Sequence, residues 1–294
     1  SYLGKKDLPK ARQNLLSLKK KRGFELLSLL HTALALQNEE KISVIDKLLD
    51  EAIGSVEETP SRLALTAANH YQKTGRTDTA INLIDKIKSK DFNLEILKGR
   101  RRATEGSSLS EVTVRSPQDG ISEALFDIAS ALRDEYDNNA SLIFVRLASY
   151  MRPEFHSAQI LLGEILEERG KYPEAIQAFE RIPEESIFFR MAQLRLSQTL
   201  RQDDKPRAAI QVLERLKQRQ PKNAENFIRL GDIYRSQKDW DEAIFAYNTA
   251  INLTNRNSKS DWILYYSRGV ALEQSGRWDI CLLYTSPSPR DLAQ

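Results

Sequence analysis

The sequence predicts an all-α fold, an α-solenoid of tandem helix–turn–helix repeats. The first observation is the apolar pattern of residues 223–254, which repeats at three and four residues in two runs, as amphipathic helices do. A polar break at 236–239 separates the runs, and the small residues Gly231 and Ala243 fall where the two helices would touch. The second observation is that the whole unit recurs along the chain with a spacing of 34 residues, and of 38 before the last unit, which is typical of helical repeat proteins.

The repeat array is predicted to span residues 122–279. Its units start at residues 122, 156, 190, 224 and 262, and the last unit is cut short. The seventh and eighth positions hold one apolar and one small residue in most units: Ile128-Ala129, Leu162-Gly163, Leu196-Ser197, Leu230-Gly231 and Arg268-Gly269. This pattern resembles the tetratricopeptide repeat family. That resemblance implies a right-handed superhelix whose first helices line a concave groove, although a fold by itself does not name a task.

Residues 1–91 are predicted to form degenerate helical repeats of the same kind. The best unit is 61–90, and before it residues 24–36 and 42–53 pair as two helices. Residues 8–18 read as the second helix of a unit whose first helix is missing. Because the chain starts with Ser1 in the middle of the pattern, we expect it to be a fragment of a longer protein.

Residues 92–121 interrupt the array. A helix is predicted over 92–103, followed by a flexible or extended connector over 104–120 that is rich in serine and glycine. This segment is the natural boundary between the two arrays. A binding loop is the alternative, because loops of this length are often functional.

The chain ends in an atypical tail, residues 280–294. Helical periodicity stops there, and residues 281–291 resemble translated sequencing-adapter sequence; a natural loop is the alternative. The tail holds the only cysteine, Cys281, so the rest of the chain offers no disulfide and no thiolate chemistry.

Catalytic and metal-binding patterns are missing from the sequence. His31, His70 and His156 have no cysteine, histidine or paired carboxylate at metal-ligand spacing, and we interpret His70 and His156 as helix-surface residues. No phosphate-binding glycine loop and no nucleophile elbow occurs either. The sequence therefore predicts a protein that is not an enzyme and that carries no cofactor or metal.

Two basic clusters could contact phosphates or an anionic membrane surface, residues 19–22 and residues 98–102. The alternative is solvated charge at helix ends, where cations are favourable. No aromatic residues are interleaved for base stacking and the formal net charge is only +3, so nucleic-acid binding is disfavoured. Forty per cent hydrophobic and 29% charged residues fit exposed helices, and no apolar run is long enough to span a membrane.

The tetratricopeptide resemblance assigns partner-binding residues to the first helix of each repeat. Position five is Phe126, Ile160, Leu194, Ile228 and Tyr266. Position nine is Ser130, Glu164, Gln198, Asp232 and Val270, and position twelve includes Arg133, Glu167, Arg201 and Arg235. The resulting apolar floor beside mixed charge suits an amphipathic segment of a partner protein. Alternatively, the floor residues merely pack between helices. The lysine and asparagine that hold a peptide carboxylate in some family members are missing here, which disfavours that ligand.

The predicted function is a protein–protein interaction scaffold that binds a partner segment in this groove. A self-assembling or envelope-complex component is the alternative, and an anionic-surface binder is a third. The segment from residue 60 to residue 279 resembles long uncharacterised repeat proteins of alphaproteobacteria, many of which carry an export signal. That resemblance implies a bacterial protein at the periplasm or cell envelope rather than in the cytoplasm.

Overall fold

The computed structural model describes residues 7–21, 23–37, 42–85, 114–134, 138–186, 188–254 and 262–277. Within these ranges the regular elements are fourteen α-helices and one short 3-10 turn, Leu18–Lys20, with no strand. The predicted all-α helical repeat fold is therefore confirmed. The chain divides into two compact units, Ser1–Met191 and Ala192–Gln294.

The described residues of unit 1 form nine complete helices. They are α1 (Leu8–Ser17), α2 (Glu25–Leu36), α3 (Ile42–Gly54), α4 (Ser61–Lys73), α5 (Thr77–Asp85), α6 (Pro117–Asp134), α7 (Asn138–Met151), α8 (His156–Glu168) and α9 (Tyr172–Glu180). Helix α2 packs on α3, α4 on α5, α6 on α7 and α8 on α9, so consecutive helices form antiparallel pairs. Each pair buries an apolar stripe that it could not bury alone.

Unit 2 continues the same pattern. Its helices are α10 (Phe189–Gln202, which starts at the end of unit 1), α11 (Pro206–Arg219), α12 (Ala224–Gln237), α13 (Trp240–Leu253) and α14 (Trp262–Gln274). Helix α12 packs against α11 and α13, and α13 packs against α14. Helices α8, α12 and α14 begin at the predicted first positions, His156, Ala224 and Trp262.

The turn that follows the first helix is built the same way in five repeats. Position fifteen takes a left-handed backbone, with a φ between 54° and 80°, in five repeats: Gly75, Gly170, Asp204, Lys238 and Gly276. The next residue donates its N–H to the carbonyl of position eleven, as Arg76 does to Tyr71 at 2.7 Å and Asp239 does to Tyr234 at 2.9 Å. This Schellman-type bond satisfies a carbonyl at the end of the first helix and turns the chain into the second.

Position eight of a first helix lies close to position twenty-four of the following second helix. Gly163 and Gly231 lie against the rings of Phe179 and Tyr247, with no room for a β-carbon. Ala243 is fully buried in the core around Tyr247, as its predicted place at a helix contact requires. The small residues therefore set how closely the paired helices approach.

Helix α6 begins at Pro117, five residues before the predicted start of its repeat at Ser122 and inside the predicted loop 104–120. The reason is a helix N-terminus signal that the periodicity does not reveal. The amide of Asp119 donates to Ser116 Oγ at 3.1 Å, and the Asp119 carboxylate accepts from the amides of Ser116 and Arg115. This reciprocal capping, with proline at the first helical position, fixes the start of the helix.

Several predicted features lie outside the described residues. These are the helix over 92–103, the connector up to residue 113, the basic residues 98–102 and Arg22, and the tail from residue 278 onward.

Candidate functional site

The predicted apolar floor is uneven. In unit 1, Ile160 is only 6% exposed, and the Phe126 ring packs 5.0 Å from the Phe155 ring, so both side chains belong to the helix packing. In unit 2, Leu194 and Ile228 are half-buried and Tyr266 is 65% exposed. Tyr266 of unit 2 is therefore the one exposed side chain at position five among the described residues, and Phe126 is half-buried like Leu194 and Ile228.

The predicted polar positions of unit 1 are bonded to each other across two repeats. Arg133 of α6 donates to Glu164 of α8 at 2.6 Å and also pairs with Glu168. Burial lowers the pKa of Arg133, but the hydrogen bonds and charges of the two glutamates raise it by more. The guanidinium thus stays charged and ties position twelve of one repeat to the next repeat.

In unit 2 the corresponding polar side chains converge on a buried tyrosine. The Tyr247 hydroxyl donates to Asp232 Oδ1 at 2.8 Å and accepts from Arg235 Nε at 3.2 Å. Burial raises the pKa of Tyr247, and the charge of Asp232 adds to the rise. Asp232 and Arg235 remain partly open to solvent, with about 40% of each side chain exposed, so they can still meet a ligand.

The remaining predicted site residues differ in their exposure to solvent and in their hydrogen bonds. Ser130 donates its hydroxyl to the Phe126 carbonyl at 3.0 Å, a bond within its own helix. Arg201 is exposed, whereas Glu167, Gln198 and Val270 are half-buried. Each lies on its first helix, as the resemblance implied, and their role in binding stays a prediction.

A buried ionic cluster in unit 1 was not found from the sequence. Glu123 of α6 is 1% exposed and accepts from Arg62 of α4 and, at 3.0 Å, from Arg152 at the end of α7. The guanidinium carbons of Arg62 and Arg152 lie 4.9 Å and 5.1 Å from the centre of the Phe155 ring. No sequence pattern links these charges, because Arg62 and Glu123 are 61 residues apart.

His70 is not the helix-surface residue that the sequence suggested. It is buried, and its Nε2 lies 2.7 Å from Asp46 Oδ1, which also accepts from Arg76 at 2.5 Å. Next to it, the Tyr71 hydroxyl donates to Asp50 at 2.5 Å. The amphipathic pattern of α4 placed His70 on the polar face, but α3 covers that face with two carboxylates. His156 is half-buried at the start of α8.

Unit 1 also holds an apolar cleft of about 190 Å³ between α1, α2 and α6. Leu18, Phe24 and Ile128 are among its walls, and His31 at its side forms a 2.9 Å contact with Asp127. The exposed lysines of the first basic cluster follow Leu18 directly, and Lys19 pairs with Glu51.

The described residues contain no group of three metal-ligating side chains. Among the same residues, no helix is both long and apolar enough to cross a membrane.

Comparison with known proteins gives one family and several similar folds. The family model described as a tetratricopeptide repeat-like domain matches residues 98–264, more than half of the chain, which confirms the resemblance. No curated protein matches the chain in sequence.

Solved structures with similar folds share little sequence with this chain. A double mutant of MamA from strain RS-1 is 16% identical, with a TM-score of 0.50, covering 58% of this chain and 92% of MamA. PilF of Pseudomonas aeruginosa is 13% identical with a TM-score of 0.46, covering 80% and 90%. YrrB, described as a repeat protein with an unusual peptide-binding site, is 17% identical with a TM-score of 0.42, covering 54% and 80%.

Proposed function

Since this chain belongs to the tetratricopeptide repeat-like family, we propose that it is a non-enzymatic interaction scaffold that binds a segment of a partner protein on the first helices of its repeats. Unit 2 carries most of that binding. The observation behind this assignment is the exposure of Tyr266, which is 65% exposed beside the half-buried Leu194 and Ile228 of the same unit. In unit 1, Ile160 is buried and the half-buried Phe126 packs on the Phe155 ring.

The chemistry of these helices suits an amphipathic partner segment. Apolar side chains of the partner would cover Leu194, Ile228 and Tyr266, and burial of that surface supplies the affinity. Asp232 lies one helical turn and Arg235 two turns after Ile228, and they present one charge of each sign. Such charges select and orient a partner more than they add affinity.

The test starts from peptides selected against the whole protein from a displayed library. Their affinity is measured by fluorescence anisotropy on the parent and on the double variant Leu194→Ser/Ile228→Ser. Each buried anchor contributes roughly 1–2 kcal/mol, so we expect the double variant to bind about a hundredfold more weakly.

The matched control is Ile210→Ser, which changes a half-buried aliphatic residue on the second helix α11. It should leave the affinity unchanged, and thermal melts of all variants verify folding. Equal binding by the parent and the double variant would refute the proposal. An affinity that collapses with added salt alone would favour the anionic-surface alternative.

A second candidate function is self-assembly, and a specific surface favours it. Helix α7 exposes Ile143, Leu147 and Tyr150, which lie on one helical face at spacings of four and three residues. Burial of this stripe against another copy would remove it from water. Sedimentation equilibrium tests this: Leu147→Glu should turn an oligomer into a monomer, and a parent that is monomeric at all concentrations excludes self-assembly.

The envelope location stays a prediction from the family resemblance. Export of the complete protein would be tested by cell fractionation of the bacterium that encodes it.

A further inference from the structure

A second pocket, separate from the proposed groove, lies in unit 2 between α11, α12 and α13. Its volume is about 380 Å³. Three aromatic residues and two small or aliphatic ones form the apolar part of its lining: Phe227, Tyr234, Phe245, Leu230 and Ala246. The charged part is Glu214 and Lys217 of α11 with Asp241 and Glu242 of α13.

The pocket faces away from the groove residues of the same helix. At about 100° per residue, the stripe that holds Phe227 and Tyr234 lies roughly 130° around α12 from the stripe that holds Ile228 and Asp232. Neither Ile228 nor Asp232 lines the pocket. A ligand here and a ligand in the groove would therefore touch different faces of α12.

The electrostatic character of the pocket is negative. Its lining has three carboxylates and one ammonium group, and Lys217 is already paired with Glu214. Asp241 accepts from Arg277, which leaves Glu242 without an ion-pair partner among the described residues. Burial raises the pKa of the Tyr234 hydroxyl, and the charges of Glu214, Glu242 and Asp239 raise it further, which indicates a negative potential at the phenol.

An unusually exposed aromatic side chain stands at the edge of this pocket. Phe245 is 71% exposed, although the neighbouring Tyr247 is fully buried. Glu242 precedes Phe245 by three residues, so the carboxylate and the ring share one face of α13. A planar cation can stack on an aromatic ring while its N–H groups pair with a carboxylate, and arginine has the geometry for both contacts.

We propose that this pocket binds an arginine side chain of a partner protein segment, with the guanidinium stacked on Phe245 and paired with Glu242. Tyr234 and Phe227 enclose the alkyl part of the side chain. Glu214 is already paired with Lys217, so Glu242 is the carboxylate of this pocket that remains for one arginine. The proposal does not rest on the groove, and it would give a scaffold of this kind a second point of attachment.

The experiment uses the whole protein labelled with ¹⁵N and follows backbone amide shifts by NMR. The probe is the peptide Gly-Ser-Gly-Arg-Gly-Ser-Gly, and the matched probe replaces arginine with citrulline, which keeps the shape and loses the charge. We expect saturable shifts at Tyr234, Glu242 and Phe245 with the arginine peptide and none with the citrulline peptide. No saturable shift with either peptide would overturn the proposal.

Variants separate the two contacts. Phe245→Ala and Glu242→Gln should each weaken binding about two- to fivefold, and the two together about tenfold. The control Glu180→Gln removes an exposed carboxylate of unit 1 and should change nothing. An affinity unchanged in the double variant would overturn the assignment.

Two further arms test the identity of the occupant. Spermidine probes a free polyamine; tighter binding of spermidine than of the arginine peptide would overturn the choice of a protein segment.

The groove variant Leu194→Ser/Ile228→Ser should bind the arginine peptide as the parent does. If this variant no longer binds the groove peptides but still binds the arginine peptide, the two ligands occupy different sites.

Discussion

The ring of Tyr247 lies directly against Gly231, and a β-carbon placed on Gly231 would stand 2.6 Å from ring carbon Cε1. The ring cannot retreat easily, because its hydroxyl is bonded to Asp232 and Arg235. Gly231→Ala should therefore lower the free energy of unfolding by about 2 kcal/mol, since overpacking costs up to about 3 kcal/mol and alanine returns about 1 kcal/mol of helix propensity. Urea denaturation measures the change.

The control for this contact is the same substitution beside a smaller partner. The preceding repeat holds Ser197 and Leu213 at the two equivalent positions. In a Tyr247→Leu background, Gly231→Ala should thus be neutral or slightly stabilising. An equal loss in both backgrounds would show that the ring is not the cause.

Two buried tyrosines should make stability depend on alkaline pH. Burial raises the pKa of both Tyr71 and Tyr247 above the ordinary value of 10.0, and the neighbouring Asp50 and Asp232 add to the rise. The fold therefore favours the neutral phenol, while the unfolded chain ionises near pH 10. This stabilisation is complete below pH 10 and is lost as pH rises toward the folded pKa, by about 1.4 kcal/mol per pH unit for each tyrosine.

Urea titrations between pH 8 and pH 11 test this sign. Tyr247→Phe should be less stable than the parent at pH 8, by about 1 kcal/mol, because Asp232 loses a hydrogen bond. Its stability should then fall less steeply with pH than that of the parent. A variant that falls as steeply as the parent would rule out Tyr247 as a source of the pH dependence.

The helices could be predicted well from the sequence because the pattern that specifies each helix lies within the helix itself. The apolar stripe of α12 and the position of its turn lie within one stretch of chain, so periodicity alone locates them. The start of α6 at Pro117 was missed because a capping signal precedes the apolar pattern.

The site was predicted less well because its decisive contacts are not local. The family resemblance assigned Arg133 to position twelve of its first helix, but it could not show that Glu164, 31 residues away, would pair with it. The same holds for His70, whose burial depends on Asp46 in a different helix. A residue on a polar helix face meets either solvent or another helix, and only the packing decides which.

Substitutions at two equivalent positions of the left-handed turn should change the stability of the protein in opposite directions. Lys238 has a φ of 64° where Gly170 has 68°, and a side chain in this conformation costs about 1 kcal/mol or more. Lys238→Gly should therefore stabilise the protein by about 0.5–1 kcal/mol after the added entropy of the unfolded chain is subtracted. Gly170→Ala should destabilise it by about 1 kcal/mol through strain alone, since a β-carbon there meets no atom within 4 Å. Thermal melts measure both changes.

Lys238→Ala is the control for charge and side-chain loss. It keeps the strained backbone and so should not reproduce the gain of the glycine variant. If alanine and glycine raise the melting temperature equally, the lysine charge rather than the turn is responsible.

The buried cluster of Arg62, Glu123 and Arg152 should be the most sensitive charged site of unit 1. Glu123 accepts from both Arg62 and Arg152, so Glu123→Gln removes the buried negative charge that the two guanidinium groups share. Breaking one side of a buried ion pair costs about 3–5 kcal/mol, because the remaining charge stays desolvated.

The control is Glu168→Gln, which removes a half-exposed partner of Arg133 and should cost less than about 1 kcal/mol. Urea denaturation compares the two variants, and similar small losses in both would show that the cluster contributes little. Replacement of all three charged residues, Arg62 and Arg152 by Met and Glu123 by Leu, tests the cause, since an apolar cluster of similar volume should recover much of the stability that Glu123→Gln loses.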